Sequence, residues 1–397
     1  MRIIEPKRKI KVESSYDVVV VGGGVAGVSA ALASARHGKK VLLIEQSFML
    51  GGLATAGLIA IYLPICDGHG KQVSFGIAEE LLHLSVKNGY EGEYNSAWLG
   101  NDIEKRDKKR FQVQFNPNVY AIELEQLLVK NGVDILYGSS VCSVMLKKGK
   151  ITHLLIENKS GRTAIAVTNV VDASGDAVVC KLAGENTVEY TQGNVPASWY
   201  YAVKDGKHEL KMLGFIDIAD EDKVNQLVEM ESNTRFKGLD GKEISDLTVL
   251  SHRTILEHFL KGGKGSNNYA LANIATIPQL RMTRRIDGVY TQDDSEMHKS
   301  YDDSVGMFSD WRKRGPVYEM PFRTLYGNKI KNLITAGRCI SSTEAMWDIT
   351  RVIPVCAVSG QAAGTACVIA DEFSKTDIKK LQELLKKDGV VLHESDL

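Results

Sequence analysis

Residues 16–45 carry the sequence YDVVVVGGGVAGVSAALASARHGKKVLLIE, and this stretch decides the fold. The valine run at its start, residues 16–21, is typical of a strand buried on both faces of a parallel sheet. Residues 25–37 are rich in alanine and predict a helix, which ends at Gly38. Residues 40–45 predict a second buried strand. The stretch therefore predicts a strand–helix–strand unit with a right-handed crossover.

A glycine motif lies between the first strand and the helix. Residues 22–27, GGGVAG, match the pattern G-x-G-x-x-G. In this motif Gly22 permits a tight turn, Gly24 lets the backbone approach a pyrophosphate, and Gly27 lets the helix pack on the sheet. Glu45 lies 18 residues after Gly27, close to the usual position of a carboxylate that binds ribose. The motif in this context predicts a dinucleotide site and leaves open which dinucleotide binds.

The rest of the chain predicts a sheet interrupted by a second domain. Further predicted helices are 116–131, 216–231, 254–261 and 355–371, and further predicted strands are 134–137, 141–147, 151–157, 163–167, 170–173 and 332–336. The turn sequences KKGK and NKSG separate the strands between 141 and 167, which predicts an antiparallel meander. The segment 184–321 is more polar and less regular, and we expect an inserted domain there.

Composition excludes several classes of function. The chain has 397 residues, with 49 Lys+Arg and 49 Asp+Glu, so its net charge is zero and nothing draws it as a whole to nucleic acid or an anionic membrane. The N-terminus lacks the apolar run of a secretory signal, and no apolar stretch is long enough to span a bilayer. Six cysteines without C-x-x-C spacing argue against zinc, iron–sulfur and dithiol centres. We therefore predict a cytoplasmic protein without a metal site.

Four segments together resemble a known family. They are residues 17–46, which include the first motif, residues 50–57 (LGGLATAG), residues 170–177 (VVDASGDA) and residues 332–366, which begin NLITAGRC. In this order they resemble the FAD-dependent oxidoreductases of the glutathione-reductase-like FAD-binding fold. More narrowly, the chain is similar to the bacterial FAD-dependent oxidoreductases, many of which have no known substrate.

The resemblance implies that the dinucleotide is FAD. A long cofactor needs glycines where distant chain segments approach it closely, and a plain NAD domain would need only the first motif. The resemblance places FAD along the following residues: Gly22, Gly24, Val25, Ala26, Gly27, Glu45, Gln46, Gly51, Gly52, Leu53, Ala54, Thr55, Val141, Ala173, Ser174, Gly175, Gly337, Arg338, Pro354 and Gly360. The alternative for the later glycines is a role in turns and helix packing alone.

The predicted fold class is α/β. We expect a Rossmann-like FAD-binding domain, with a parallel sheet and a β-meander, formed by residues 1–183 and 322–397. An α+β domain that covers the substrate, residues 184–321, is expected as an insertion.

Catalytic candidates come from the arginines near the third and fourth segments. Arg281 and Arg285 lie in QLRMTRRIDG, which resembles the family's arginine-rich segment beside the active site, and Arg338 and Arg351 lie in the fourth segment. The planar guanidinium suits carboxylate or phosphate recognition, although such a stretch can also be salt-bridged or solvated. His69 could act as a general acid or base, and its alternative is a plain surface-loop histidine.

The resemblance implies hydride transfer between a substrate carbon and flavin N5. We expect a small polar or anionic metabolite as the substrate, an unidentified electron donor or acceptor, and non-covalent FAD, because no histidine precedes Gly51 as in enzymes with histidyl-linked flavin. Homo-oligomerisation stays open. One alternative is a flavin electron-transfer subunit that works with a separate iron–sulfur partner, and another is a non-redox role, with FAD as a structural element or as a reagent in a modification complex.

Overall fold

The computed structural model describes residues 7–92, 94–100, 103–214, 234–263 and 268–397. Its strands are β1 (Val12–Val21), β2 (Val41–Ile44), β3 (Ile61–Tyr62), β4 (Tyr90–Glu91), β5 (Val113–Phe115), β6 (Asp134–Leu136), β7 (Ser140–Lys147), β8 (Lys150–Asn158), β9 (Gly161–Asp172), β10 (Thr187–Glu189), β11 (Ser198–Lys204), β12 (Lys207–Leu213), β13 (Tyr269–Ile274), β14 (Arg284–Ile286), β15 (Ser304–Ser309), β16 (Val317–Pro321) and β17 (Leu333–Thr335). Its helices are α1 (Val25–Arg36), α2 (Ile77–Lys87), α3 (Pro117–Lys130), α4 (Val178–Ala183), α5 (Gly241–Gly263), α6 (Glu344–Thr350), α7 (Ile353–Ile369) and α8 (Ile378–Lys387). The predicted helix 216–231 lies outside the described residues.

The main sheet has the order β6-β2-β1-β9-β8-β7, and β17 also pairs with β9. The pairs β6–β2, β2–β1, β1–β9 and β9–β17 are parallel, whereas β7, β8 and β9 form an antiparallel meander. The last four valines of β1 are buried because strands flank them on both sides and α1 covers one face. The structure thus confirms the predicted α/β class, with a parallel sheet and a meander.

Strand β9 corrects one prediction. The sequence predicts two strands, 163–167 and 170–173, but residues Gly161–Asp172 form one strand. One edge of β9 pairs with β1, and the other edge pairs first with β8 and then with β17. The polar Asn169 stays inside the strand because its amide donates to the carbonyl oxygens of Cys367 (3.1 Å) and Ala370 (2.8 Å).

Among the described residues of segment 184–321 there are three smaller sheets, β10–β14, β12–β11–β13 and β15–β16, together with α5. Helix α5 is longer than the predicted 254–261. Its first half is mostly polar and gave no clear apolar pattern, but Leu247 and Ile255 are buried and anchor the helix. Strand β15 lies against α7, which belongs to the last part of the chain. The domain boundaries at 184 and 321 stay a prediction.

Two glycines of α7 allow it to pack closely on α1. A methyl group at Gly360 would lie 2.3 Å from the carbonyl oxygen of Ala26, and one at Gly364 would lie 2.2 Å from that of Ala30. No side chain larger than hydrogen fits at these positions without a backbone shift. The contact fixes the position of α7 relative to α1. The first residues of both helices line the site described below.

No single described helix is long and apolar enough to cross a bilayer, and α6 with α7 reaches that length only as a pair bent by 89°.

Candidate functional site

The first glycine motif forms a turn that only glycine can make. Gly22 has φ +104°, and a Cβ there would lie 2.5 Å from the carbonyl oxygen of Ala173. A Cβ at Gly27 would lie 1.9 Å from the carbonyl oxygen of Gly22. Gly24 differs, because nothing lies within 4 Å of the position its Cβ would take. The first and last glycines therefore shape the turn, and Gly24 faces open space.

The N-terminus of α1 points its free amides toward that space. Gly24 is the N-cap residue and provides no side-chain cap, and the first helical bond runs from the Val28 amide to the Gly24 carbonyl oxygen (2.9 Å). The amides of residues 25–27 consequently have no partner within the helix. Unpaired amides and the positive end of the helix dipole favour a bound phosphate.

The Glu45 carboxylate is fixed at the end of β2. Its Oε2 accepts the Gly23 amide (2.7 Å) and its Oε1 accepts the Ser47 amide (2.7 Å). Glu45 is 8% exposed. Each carboxylate oxygen keeps a further lone pair, so the group can also accept hydrogen bonds from the hydroxyls of a ribose.

The second and third segments lie directly against this turn. The Gly51 amide donates to the Gly23 carbonyl oxygen (2.8 Å), and a Cβ at Gly52 would lie 3.1 Å from the Cα of Gly24. Gly175 has φ +82°, and a Cβ there would lie 2.3 Å from Nη2 of Arg338. Segments far apart in the sequence therefore converge through close contacts at glycines, where a side chain would collide with a neighbouring segment.

These segments enclose a cavity of ≈ 380 Å³. The predicted FAD-contact residues that line it are Gly22, Gly24, Val25, Ala26, Glu45, Gln46, Gly51, Gly52, Leu53, Ala54, Val141, Ala173, Ser174, Gly175, Gly337 and Arg338. Four other predicted contacts do not line it. Gly27 and Gly360 lie behind it in the turn and the α1–α7 contact, Thr55 donates to the carbonyl oxygen of Leu50, and Pro354 is buried in the first turn of α7.

Sequence reasoning missed part of the cavity wall. The unpredicted lining residues are Val21, Ile44, Ser47, Ser139, Ser140, Asp176, Val178, Gly238, Ile244, Ile277, Pro278, Leu280, Ala336, Ile353 and Cys356. Asp176 lies in the third segment quoted above and Cys356 in the fourth, so motif proximity could have found them. Ile277, Pro278 and Leu280 carry no motif, and they reach the cavity because the Thr276 amide donates to the Ala56 carbonyl oxygen (2.8 Å).

Two of the candidate arginines line the cavity. Arg338 donates to the carbonyl oxygen of Leu280, and its Nη2 lies 3.5 Å from Oδ1 of Asp176. Arg351 donates from Nε to Oδ1 of Asp348 (3.1 Å), and its guanidinium lies 4.9 Å from the centre of the Trp347 ring. Both cations are held in place by neighbouring groups, which favours recognition of an anionic partner.

The other three catalytic candidates lie outside the cavity. Arg285 donates to the carbonyl oxygen of Ile286 (2.8 Å) and to Oγ of Ser341 (2.9 Å) and is buried. Arg281 is also buried, beside a second and much smaller cavity. His69 is exposed in a loop, where its amide donates to Oδ1 of Asp67 (2.7 Å). The structure therefore brings Arg338 and Arg351 together with the predicted cofactor residues, and does not bring His69 there.

A buried thiol, Cys356, forms part of the cavity wall. Burial raises the pKa of Cys356 to about 12, while the nearby Arg338 and Arg351 act in the opposite direction. The thiol is therefore protonated at neutral pH, and it contributes a small neutral surface to the cavity.

A family model and several known proteins match parts of this chain. A model of the family described as FAD dependent oxidoreductase matches residues 17–243 and 199–385. A tRNA uridine 5-carboxymethylaminomethyl modification enzyme from Aliarcobacter butzleri is 34% identical over 163 residues, which cover 36% of this chain and 23% of that protein. A digeranylgeranylglycerophospholipid reductase from Thermoplasma volcanium is 27% identical over 169 residues, covering 41% of this chain and 39% of that protein.

A geranylgeranyl bacteriochlorophyll reductase-like protein from Thermoplasma acidophilum has a similar crystal structure, with a TM-score of 0.48 and 16% identity over 94% of this chain and 84% of that chain. The chain aligns with 23% of the length of the tRNA-modification enzyme and 39% of the length of the phospholipid reductase, which is well under half of each.

Proposed function

Because this chain belongs to the FAD-dependent oxidoreductase family, we propose that it binds FAD in the ≈ 380 Å³ cavity and oxidises or reduces a small polar or anionic metabolite there. One observation carries the proposal of where FAD binds. The amides at the start of α1 are free, the space in front of Gly24 is open, and a fixed carboxylate, Glu45, lies on the same wall. This combination suits a pyrophosphate joined to a ribose.

The chain's own residues divide the remaining tasks. FAD supplies the hydride acceptor or donor. The amides of α1 bind phosphate, and the Glu45 carboxylate accepts ribose hydroxyls. The Arg338 guanidinium packs over Gly175 and would add positive charge for the cofactor's phosphates, and Arg351, held by Asp348 and Trp347, also lines the cavity. We assign Arg351 to the orientation of an anionic substrate or of the flavin edge.

The direct test of this function is anaerobic titration of the purified holoprotein with panels of small organic acids, sugars and other polar metabolites. Loss of flavin absorbance on addition of one compound would identify the substrate class. If every polar compound leaves the flavin oxidised while an apolar one bleaches it, the proposed substrate class is wrong.

We expect the FAD to be bound without a covalent link. Acid or heat precipitation should release essentially all of the yellow flavin into the supernatant, and chromatography should identify it as FAD. The physical basis is the set of backbone and carboxylate contacts described above, which hold a dinucleotide through hydrogen bonds. Flavin that remains with the precipitated polypeptide after washing would contradict the expectation.

Glu45→Gln should weaken FAD binding by about 10-fold to 100-fold, because a hydrogen bond to a charged acceptor contributes about 1.5–3 kcal/mol. The dissociation constant of the apoprotein for FAD, measured by quenching of flavin fluorescence, checks this. The control is Glu80→Gln, which removes a half-buried carboxylate that pairs with Arg36 (2.7 Å) and does not line the cavity. Equal FAD affinity in both variants would rule out a role for Glu45 in binding ribose.

A further inference from the structure

Three loops rich in lysine and arginine meet on one part of the protein surface. They are residues 65–71, 104–111 and 310–315, called the basic loops below. The first loop contacts both of the others, because a Cβ at Gly68 would lie 2.8 Å from Cγ of Arg314 and 2.9 Å from Cγ of Arg110. The second contacts the third, because Nη1 of Arg110 donates to the carbonyl oxygen of Trp311 (2.6 Å). The three loops therefore form one continuous surface.

The basic loops carry an excess of positive charge on a chain whose net charge is zero. They contain nine lysines and arginines against four aspartates and glutamates, an excess of five. Glu93 and Asp102, which precede the second loop and lie outside the described residues, would reduce the excess only to three. Lys71, Lys108 and Lys109 are exposed, and within the described part of the chain their side chains form no ion pair. The surface therefore presents cations that the described carboxylates leave unpaired.

The acids of the basic loops shape the backbone and hold buried groups. Oδ1 of Asp67 accepts the amides of His69 (2.7 Å) and Lys71 (3.0 Å), which fixes the turn of the first loop. Oδ1 of Asp107 accepts Nε1 of Trp98 (3.2 Å). The loop of His69, a residue that does not line the large cavity, therefore has a defined shape on the outside of the protein.

The third basic loop also reaches the wall of the large cavity. Nε1 of Trp311 donates to the carbonyl oxygen of Asp348 (2.9 Å), and the centre of the Trp311 ring lies 5.8 Å from the Arg351 guanidinium. Arg351 lines the large cavity. The surface of the basic loops is therefore joined to the proposed FAD cavity through a single pair of contacting side chains.

We propose that the basic loops are a docking surface for a small acidic protein that exchanges electrons with the bound FAD. The inference rests on the proposed function, because an oxidoreductase that exchanges electrons with a metabolite passes them to, or receives them from, a second partner. Each carrier protein exchanges one electron. Two carriers, together with two protons from the solvent, therefore account for one two-electron change of FAD.

The basic loops favour a protein partner over a nucleic acid. Single-stranded nucleic acids bind through aromatic side chains on which successive bases stack. In the basic loops Phe111 is buried, and Trp311 is half-buried beside Arg351. Encounters between electron carriers, in contrast, use small interfaces and are steered by opposite charges. Three short loops with a local excess of positive charge suit such an encounter.

The test measures binding of two acidic one-electron carriers, a plant-type ferredoxin and a flavodoxin, to the holoprotein by isothermal titration calorimetry. At about 10 mM salt the Debye length is about 30 Å, and we expect at least one carrier to bind. The affinity should fall at least about 10-fold at about 150 mM salt, because screening weakens attraction between exposed charges. The triple variant Lys71→Glu, Lys108→Glu, Lys109→Glu should bind at least about 10-fold more weakly at low salt.

A matched control variant separates docking from net charge. Lys147→Glu, Lys159→Glu and Lys181→Glu together reverse three exposed lysines outside the basic loops and change the net charge by the same amount. This variant should keep most of the affinity for the carrier. Urea unfolding should show similar stability for both variants, since all six substitutions are on the surface. The unaltered protein should not bind a basic cytochrome c at low salt.

Electron exchange is measured separately from docking. The reduced carrier, mixed anaerobically with the holoprotein at low salt, should bleach the flavin, and the Lys71, Lys108 and Lys109 variant should be bleached at least about 10-fold more slowly. Docking without bleaching would refute the electron exchange.

Absence of carrier binding at low salt, or equal losses in the two triple variants, would overturn the proposal. Tighter binding of a single-stranded RNA, poly(U), than of either carrier, lost in the Lys71, Lys108 and Lys109 variant, would show that the surface takes nucleic acid and would overturn it too. A metabolite titration that bleaches the flavin, without carrier binding, would refute the docking surface alone. Carrier binding without bleaching by any polar metabolite would refute the proposed substrate class alone, so the two failures are distinguishable.

Discussion

Gly24→Asp is expected to yield a folded protein that no longer retains FAD. The substitution should be tolerated by the polypeptide, because Gly24 has φ −66° and ψ 176°, an extended conformation that any residue adopts, and its Cβ position is open. Gly24 is also the N-cap of α1, and aspartate is among the best residues there. The free energy of unfolding of the apoprotein should therefore stay within a few tenths of a kcal/mol, or rise slightly.

The same side chain should exclude the cofactor. Its carboxylate would accept the helix amides proposed for the pyrophosphate, and its charge would lie close to the phosphate charges. Like charges about 4 Å apart at an effective dielectric constant of about 20 repel by about 4 kcal/mol. We therefore expect the FAD dissociation constant to rise by at least about 100-fold. Flavin fluorescence titration measures that constant, and urea unfolding of the flavin-free protein measures stability.

Two control variants separate steric, electrostatic and folding effects. Gly24→Asn has the same shape without the charge and should show a smaller loss of affinity. Gly22→Ala should do the reverse of Gly24→Asp and lose stability first, because Gly22 has φ +104° and its Cβ would lie 2.5 Å from the carbonyl oxygen of Ala173. Wild-type affinity for FAD in Gly24→Asp would exclude the start of α1 as the phosphate site.

The sequence alone was sufficient to predict the β1–α1–β2 unit. The unit β1–α1–β2 was predictable because its valine runs and glycines obey local rules that tertiary contacts do not alter. The family match confirms the predicted cofactor, FAD, and the predicted class, an FAD-dependent oxidoreductase. The individual site residues stay predictions, although the structure gathers most of the cofactor candidates around one cavity.

Other features depended on contacts that no local pattern encodes. The single strand β9 required Asn169 to satisfy its amide on Cys367 and Ala370, which come about 200 positions later (separations of 198 and 201). The first half of α5 was missed because it is polar, and its helix is stabilised by a few buried residues instead of a continuous apolar face. The burial of Arg281 could not be predicted, because it arises only when the chain is folded.

Arg312→Met should reduce the free energy of unfolding by about 3–5 kcal/mol, because it leaves a carboxylate buried without its partner. The Nε and Nη2 atoms of Arg312 donate to Oδ1 (3.0 Å) and Oδ2 (2.9 Å) of Asp310, a residue that is 1% exposed. Burial lowers the pKa of Arg312, but Asp310, Asp348 and Asp294 together raise it above its ordinary value. The surrounding carboxylates therefore stabilise the charged form of Arg312, and without this cation they would remain close together with no partner.

Arg323→Met is the matched control for burial. Arg323 binds Asp303 with the same pair of nitrogen atoms, Nε to Oδ2 (2.9 Å) and Nη2 to Oδ1 (3.2 Å), but its side chain is 44% exposed. We expect a loss of about 1 kcal/mol or less, because water screens the pair. Urea unfolding of both variants under one set of conditions measures the two losses. Equal losses would mean that burial does not set the strength of these pairs.

A second substitution separates the loss of the cation from the cost of the stranded acid. Asp310→Leu added to Arg312→Met removes the unpaired carboxylate, and most of the lost stability should return, because apolar pairs often replace buried ion pairs without loss. The Nη1 atom of Arg312 also lies 3.8 Å from Oδ2 of Asp348, whose Oδ1 holds Arg351 at the cavity. Since Asp348 keeps Arg351 in the double variant, its FAD affinity should match that of the unaltered protein. A stable double variant with weakened FAD binding would instead show that the cavity arginine depends on the whole chain of charges from Arg351 through Asp348 to Arg312.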